Sequence, residues 1–471
     1  LRGIGELIEV DAPVDPHLEI TEIADRVMKE GGPALLFRNV IGSDLPVLIN
    51  QFGSERRMAM GLGGADLDEI AGRIAQIAQM QPPQGLMDKV KALGTLKDLA
   101  SLGTRTVRSA PCQEVVMRGD DVDLDQIPIL TCWPGDGGPF VTLPLVFSHD
   151  PRTGARNCGM YRVQKVDRHT CMMHWQVHKD GRQHLLDSEG RVPVAVAIGT
   201  DPAVTYAATA PLPPALDEMM FAGFLRGERV EMVKAVTQDI EVPARAEVVL
   251  EGYVDATDIR DEGPFGDHTG FYTPVDQYPA FHVTGITMRR DAIYSTTIVG
   301  MPPMEDYWLG KATERLFLPL IRMTVPDLVD MNLPLEGVFH NCAIVSVRKR
   351  YPGHAKKLIN AVWGLGLLSL TRCVIVVDED IDVQDVSQVA FRAFSNVDPG
   401  RDVLVVDGPV DALDHAAPWP AYGAKIGFDA TAKWEGEGQV RPWPEEIRMS
   451  DEVRARVDAR WSEFGIPSPG R

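Results

Sequence analysis

Glu262 and Asp267 are the residues of this chain most suited to proton chemistry. They lie in the stretch DEGPFGDHTGFY, residues 261–272. Between them, Gly263-Pro264-Phe265-Gly266 is turn chemistry: proline presets one backbone angle, and glycine reaches angles that other residues avoid. Such a turn can fold both acids into one cavity. Two carboxylates at close range do not both ionise cheaply, and apolar walls of Phe265, Phe271 and Tyr272 raise the pKa further. A carboxyl kept protonated at neutral pH is a proton donor. The same residues also describe a solvated acidic loop with a turn in it, and on pattern alone that is the commoner case.

Three other stretches could join it. In NCGMYRVQ, 157–164, a strand would put Asn157, Gly159 and Tyr161 on one face and Cys158, Met160 and Arg162 on the other. Arg162 among apolar neighbours needs a carboxylate, or it snorkels to water from an edge strand. In MMHWQVHKDG, 172–181, His174, Trp175, His178 and Lys179 suit a flat, partly anionic ligand, or form an ordinary half-buried strand. In LDEMMFAGFLRGE, 216–228, Glu218 begins an amphipathic helix, either as an exposed first-turn acid or as a hard-metal ligand. Together these name two sets. Asn157, His178 and Glu218 offer oxygen and nitrogen to a divalent cation, Mn or Mg rather than a thiolate-loving metal. Arg162, Glu262 and Asp267 form a charge-paired acid–base group.

The elements that must position these residues fall into three blocks. A length of 471 residues allows two or three domains. Residues 1–105 read as an α/β segment, with a helix near 16–29, a Gly31-Gly32-Pro33 breaker, two strands, and two helices around Pro82-Pro83. Residues 106–310 are strand-rich: QEVVM, LPLVFSHD, GMYRVQKV, VPVAVAIG, AVTYAAT and AEVVLEGYV, with a hairpin turning at Arg289-Arg290-Asp291. That density predicts a barrel or sandwich, interrupted by one helix near 215–237. Residues 311–471 begin with a long helix near 311–325. A βαβαβ pattern follows, ending at DVLVVDG, and implies a parallel sheet. No GxGxxG follows a strand there, so a dinucleotide site has little support. The tail from 409 is rich in Pro, Gly and Trp.

The net charge of −20 argues against nucleic acid and anionic membranes as partners. No apolar run reaches the roughly 18 residues of a membrane helix, and no signal-peptide pattern opens the chain. The six cysteines contain no CxxC and read as free thiols of a reducing cytoplasm. A glycosidase could also use paired acids. Its clefts are usually rich in aromatics, and this chain has only 7%. A non-catalytic flavin or metal carrier would need the metal set but not the acid–base set.

Several long stretches carry a family resemblance: VDPHLEITEIADR, GGPALLF, GDDVDLDQIPILTCWP, GMYRVQ, FAGFLRG, EVPARAEVVLEGY, EGPFGDHTGFY, YPGHAKK and GAKIGFDATAKW. Over nearly its whole length the chain resembles the UbiD family of decarboxylases, especially the bacterial 3-polyprenyl-4-hydroxybenzoate carboxy-lyase branch. The resemblance implies a prenylated FMN cofactor, supplied by a partner flavin prenyltransferase and held through Mn2+ (or Mg2+), with K+ nearby. It implies reversible, non-oxidative loss of CO2 from an aromatic carboxylic acid, as in ubiquinone biosynthesis. It carries the metal site to Asn157, His178 and Glu218 and the catalytic set to Arg162, Glu262 and Asp267. Arg162 would orient the carboxylate by a two-pronged grip, and Glu262 and Asp267 would supply the proton. The flavin would lie against Met160, Tyr161, Arg162, His174, Trp175, Gln176, His178 and Lys179, with Lys425 at its phosphate. The implied fold is α/β: an N-terminal α/β segment, a central flavin-binding split β-barrel, a linker helix and a C-terminal α/β domain that makes a homodimer or homohexamer. Asp267 stands where some members have Glu. The segment GMPPMEDYWLGKATERL, 300–316, departs from the hydroxybenzoate pattern, which leaves a polyprenylated hydroxybenzoate, a simple one, and a fused-ring or heteroaromatic acid all open.

Overall fold

In the computed structural model of the chain, residues 1–78, 102–175, 180–188, 190–212 and 216–466 are described. Helix α1 (Glu19–Lys29) buries Ile20, Ala24 and Met28 at helical spacing, with charged residues on the other face. It covers a small sheet of β1 (Leu7–Val10), β2 (Ala34–Phe37) and β3 (Val47–Ile49). Helices α2 (Glu55–Gly61) and α3 (Leu67–Ala78) complete the segment. The helix expected beyond Pro82-Pro83 falls outside the described residues.

The middle of the chain supplies β4 (Thr104–Val107), β5 (Val115–Arg118), β6 (Phe140–Val141), β7 (Leu145–His149), β8 (Arg156–Met160), β9 (Val163–Lys165), β10 (Thr170–Met173) and helix α4 (Asp180–Asp187). After it come β11 (Arg191–Ile198), helices α5 (Pro202–Ala207) and α6 (Glu218–Arg226), β12 (Val230–Lys234) and β13 (Glu241–Pro243). The series ends with β14 (Val248–Glu262), β15 (Phe265–Gly266), β16 (Tyr272–Thr273), β17 (Asp276–Met288) and β18 (Tyr294–Ser295). Nine of these strands form one curled sheet in the order β6-β9-β10-β17-β14-β11-β7-β8, with β5 beside β17. The sheet is buried on both faces. Val194 and Val196 of β11 join one apolar cluster, while Ala195 and Ala197 between them join another. That is the two-residue alternation of a strand with a core on each side.

Four expectations here are corrected. AVTYAAT is helix α5, not a strand: Asp201 accepts from the Ala203 N–H and Pro202 starts the helix. The helix expected over 215–237 stops at Arg226, because Gly227 turns left-handed (φ 72°) and alternating Val230-Glu231-Met232-Val233 becomes β12. The hairpin at Arg289-Arg290-Asp291 does not form. β17 pairs with β14, β10 and β5, whereas β18 leaves to pair with β3. GMYRVQKV is not one strand either: β8 ends at Met160 and β9 resumes at Val163, so Tyr161 and Arg162 sit at a break in the ladder.

Helix α7 (Glu305–Thr324) is longer than expected, starting at Glu305 rather than near 311. It leads into β19 (Leu328–Asn332), β20 (Cys342–Val347), helix α8 (His354–Val362), β21 (Cys373–Asp378), helix α9 (Val386–Asn396), β22 (Val403–Pro409) and β23 (Tyr422–Asp429). The order is β19-β20-β21-β23-β22. β20 and β21 pair in parallel, as βαβ requires. The last step differs from expectation: β23, part of the presumed tail, takes the parallel place beside β21, and β22 lies antiparallel outside it. No helix among the described residues is long and apolar enough to cross a membrane.

Candidate active site

The break between β8 and β9 releases Arg162 from strand geometry and aims it across the sheet edge. Its Nε and Nη2 donate to the two oxygens of Glu262, at 2.7 and 3.0 Å. Nη1 donates to Asp267 Oδ2 at 2.8 Å, and Nη2 also to Thr273 Oγ1 at 3.2 Å. The Phe265 ring lies 4.5 Å from the guanidinium carbon, and Phe140 packs against Phe265. Glu262 has a second partner in His174, whose Nδ1 is 3.2 Å from Oε2 and whose ring lies on Tyr278. A guanidinium has five N–H groups. Four are committed here, which leaves one Nη1 hydrogen and rules out the two-pronged substrate grip expected of Arg162 in this state.

The stretch 263–273 is held from outside. Asp136 accepts from the Gly266 N–H at 2.7 Å with one oxygen and from the Cys132 and Trp133 N–H groups with the other. Gln164 accepts from the Gly263 N–H at 2.8 Å. β15 and β16 then pair as a miniature hairpin. A β-carbon on Gly266 would stand 2.3 Å from the Trp133 ring, so only glycine fits that strand. This brings Glu262, at the end of β14, and Asp267 to opposite sides of one guanidinium.

The protonation state is the reverse of the one expected from the sequence. Burial would raise Glu262, but bonds from His174 and Arg162 outweigh it and bring the carboxyl down to about 2. Asp267 is likewise buried, yet His268 and the Arg162 charge hold it well below the usual carboxylate range. Phe265 is buried as expected, but Phe271 and Tyr272 are 56% and 48% exposed and do not enclose the acids. Phe271 lies on His415, and the Tyr272 hydroxyl accepts from the Gly135 N–H.

The group placed to hold a proton lies one residue further on. His268 Nδ1 is 2.7 Å from Asp267 Oδ1, and its Nε2 is 2.8 Å from Nε2 of His340. Burial lowers the His268 pKa, but Asp267 overcomes this and the net shift is upward. His340 is shifted down by burial and by the His268 charge. Phe339 stacks on the His268 ring. These partners were missed by sequence reasoning. His268 stands beside Asp267 in the quoted stretch, but nothing in the local sequence points to His340, which precedes β20 in the C-terminal unit. Asp136 and Thr273 lie outside the quoted stretches, and Gln164 lies inside one without having been singled out.

A second group lies at β8 and α6. Asn157 is buried and its Nδ2 has no hydrogen-bond partner; the same holds for Glu218 Oε2. Burial pushes the Glu218 carboxyl up to about 7, against the pull of the N–H groups of Glu218 and Cys158. Asp217 caps α6, and Arg156 clasps both Asp217 oxygens through its Nε and Nη2, fixing the helix start against β8. A carboxylate oxygen buried without a hydrogen-bond partner, beside an unsatisfied amide, fits a hard divalent ion once the amide is turned to present its oxygen. The expected third ligand, His178, lies outside the described residues, as do Gln176 and Lys179.

Of the residues expected against a flavin, Met160, Arg162 and His174 are half-buried, while Tyr161 and Trp175 are buried core residues. Lys425 is held elsewhere. It sits on β23, donates to the Ser369 carbonyl and lies over Trp363.

Sequence models of the 3-octaprenyl-4-hydroxybenzoate carboxy-lyase family match the chain in three parts: the N-terminal domain over residues 1–77, the Rift-related domain over 105–302 and the C-terminal domain over 307–430. An uncharacterized protein of Archaeoglobus fulgidus is 51% identical over 469 residues, covering 98% of this chain and 96% of the relative. Among solved structures, the vanillic acid decarboxylase of Sedimentibacter hydroxybenzoicus in closed form is 26% identical with a TM-score of 0.85, covering 98% of this chain and 97% of that one. The UbiD-class enzyme HmfF of Pelotomaculum thermopropionicum, in complex with FMN, is 28% identical with a TM-score of 0.80, covering 97% of each chain. An evolved dimeric form of HmfF is in complex with prenylated FMN. With all three family domains in order along its length, the chain belongs to the UbiD family of carboxy-lyases.

Proposed function

We propose that this enzyme removes CO2 reversibly and without oxidation from an aromatic acid, of hydroxybenzoate type or a fused-ring or heteroaromatic analogue, using prenylated FMN. The observation that carries this is Arg162 bound at once by Glu262 and Asp267, an arginine about a hundred residues upstream held within hydrogen-bond distance of two acids of one turn. The FMN and prenylated FMN complexes of HmfF support the cofactor. When bound, the flavin supplies the electron sink for the pair left behind by CO2.

The chain's own residues then have distinct tasks. Arg162 offers its remaining Nη1 hydrogen to the substrate carboxylate, while Glu262 and Thr273 keep the guanidinium plane fixed. Asp267 returns the proton to the carbon that lost CO2. Asn157, Glu218 and His178 hold Mn2+ or Mg2+ for the cofactor phosphate. Units at 1–105, 106–310 and 311–471 enclose the site, which lies where the central and C-terminal units meet. In support, the vanillic acid decarboxylase fits better in its closed form than in its open form, with TM-scores of 0.85 and 0.79.

CO2 release from a panel of aromatic acids tests the reading, using protein co-expressed with a flavin prenyltransferase and supplied with Mn2+. Release only from the co-expressed protein is the expected result, and the best acid narrows the substrate. Release that persists without the prenyltransferase would refute the cofactor assignment.

A further inference from the structure

Asp267 is the group assigned to return a proton to carbon, yet both its oxygens are placed as acceptors: Oδ2 from Arg162 Nη1 at 2.8 Å, and Oδ1 from the His268 backbone N–H at 2.8 Å, with His268 Nδ1 2.7 Å from Oδ1. An ionised acid must first be loaded. The only proton donor on Asp267 Oδ1 from a side chain among the described residues is His268 Nδ1, at 2.7 Å. The other nitrogen of that ring meets His340 Nε2 at 2.8 Å. Two imidazoles facing each other nitrogen to nitrogen cannot both donate, so one ring must accept. His340 Nδ1 is buried without a hydrogen-bond partner, and Phe339 clamps His268 from the side. The groups facing the pair are Asp267, itself bonded to Arg162, Asp306 at the start of α7, and Asp411 and Asp414 from the segment after β22. All but Arg162 favour a cation on the pair, and His268 lies nearest the carboxylate.

We propose that His268 is the proton store that loads Asp267 at each turnover, and that His340, reaching in from the C-terminal unit, is the positioning residue that keeps the His268 Nδ1–H aimed at Asp267. This rests on the reading of Asp267 as the group that protonates carbon. His268 starts as an imidazolium, donating from Nε2 to His340 and from Nδ1 to Asp267. As CO2 leaves, the Nδ1–H bond breaks and an O–H bond forms on Asp267, leaving both groups neutral. That O–H bond then breaks as C–H forms with the electron pair released by the departing CO2. Asp267 is again a carboxylate and His268 a neutral imidazole. Water returns one proton to Nδ1, since the ring side chain remains 19% exposed. Because His340 belongs to the C-terminal unit, the store is assembled only when that unit is seated on the 267–271 turn. Proton supply is therefore tied to closure of the site.

Three variants and one spectroscopic measurement test this. The loaded enzyme is compared with His340→Phe, which cannot accept from Nε2–H, and with His340→Gln, whose amide oxygen can. The proton store predicts that the rate falls as pH rises through the elevated pKa of His268. In H340F that alkaline limb moves down by about one pH unit, so turnover at pH 8 falls about tenfold with KM little changed. In H340Q it returns towards wild type. In the protein without cofactor, 15N NMR of labelled histidines reads His268 as an imidazolium at pH 7 and loses that signal in H340F. An unchanged pH profile in H340F, or a neutral His268 in the wild-type spectrum, would overturn the proposal. The spectrum decides alone should H340F fail to fold. Asp267→Asn separates the two layers: full turnover in that variant refutes the role of Asp267, whereas loss of turnover with an unmoved H340F profile refutes only the store.

Discussion

Arg162 is nearly dry, with its side chain 9% exposed and that of Glu262 fully buried. Removing one partner from such a pair strands the other charge, which costs about 3–5 kcal/mol. Asp267 still pairs with Arg162 when Glu262 is changed, so Glu262→Gln should lower stability by less, about 1–3 kcal/mol in denaturant unfolding, whereas exposed pairs such as Arg448–Asp380 should contribute about 1 kcal/mol or less when removed. The acid limb has a definite sign. The Glu262 carboxyl is depressed from about 4.5 to about 2. Its stabilising contribution is complete above pH 4.5 and is lost as pH falls towards 2. Unfolding followed between those limits should be steeper in wild type than in E262Q. Asp267→Asn removes the proposed proton carrier while leaving much of the shape, and kcat for CO2 release should fall by about 10²–10⁴ in the folded variant.

At the scale of elements, the turn at 263–266 was legible because proline and glycine mark it regardless of context. The need of Arg162 for a carboxylate was legible only in part, since an arginine among apolar residues can also snorkel to water from an edge strand, and on pattern alone that is the commoner case. The geometry of its partnership with Glu262 and Asp267 was not legible. GMYRVQKV reads as one continuous strand, and only the pairing of β8 with β7 and β9 with β10 reveals the break that frees Arg162. The protonation state was misread for the same reason: the rings near the acids were visible in the sequence, but His174 and His268, which hold the acids ionised, act through contacts. AVTYAAT reads as strand by composition, and its Asp-Pro start decides for helix. β23 was hidden by the polar and glycine-rich run YGAKIGFD, which is stabilised by neighbours on both sides. Asp136 illustrates an element held by one side chain. Asp136→Ala leaves three N–H groups without their acceptor, at about 1–3 kcal/mol each. The 263–273 turn should then exchange its amide hydrogens faster, and turnover should fall although no reacting group has been touched. Glu218→Gln at the start of α6 should weaken Mn2+ binding by about tenfold or more in calorimetric titration, with α6 itself preserved by the Asp217 cap.

The whole molecule is stitched together by the N-terminus of α7. Glu305 is 1% exposed and accepts from the backbone N–H groups of Asn50 and Phe52 and from the Thr297 hydroxyl, tying the first segment to the helix that leads into the last. The departure of β18 from the central sheet belongs to the same seam. Tyr294 and Ser295 pair with Val47 and Leu48, and the Gln51 side chain donates to the Ser295 hydroxyl at 2.6 Å. During synthesis, then, β3 emerges early and waits with an open edge until most of the central sheet has been translated. An edge waiting that long is a template for the wrong partner. Ribosome-stalled chains that stop before Tyr294 should remain open to protease within residues 1–78, and those that extend past α7 should become resistant there. A segment made before the central sheet would be finished only after it.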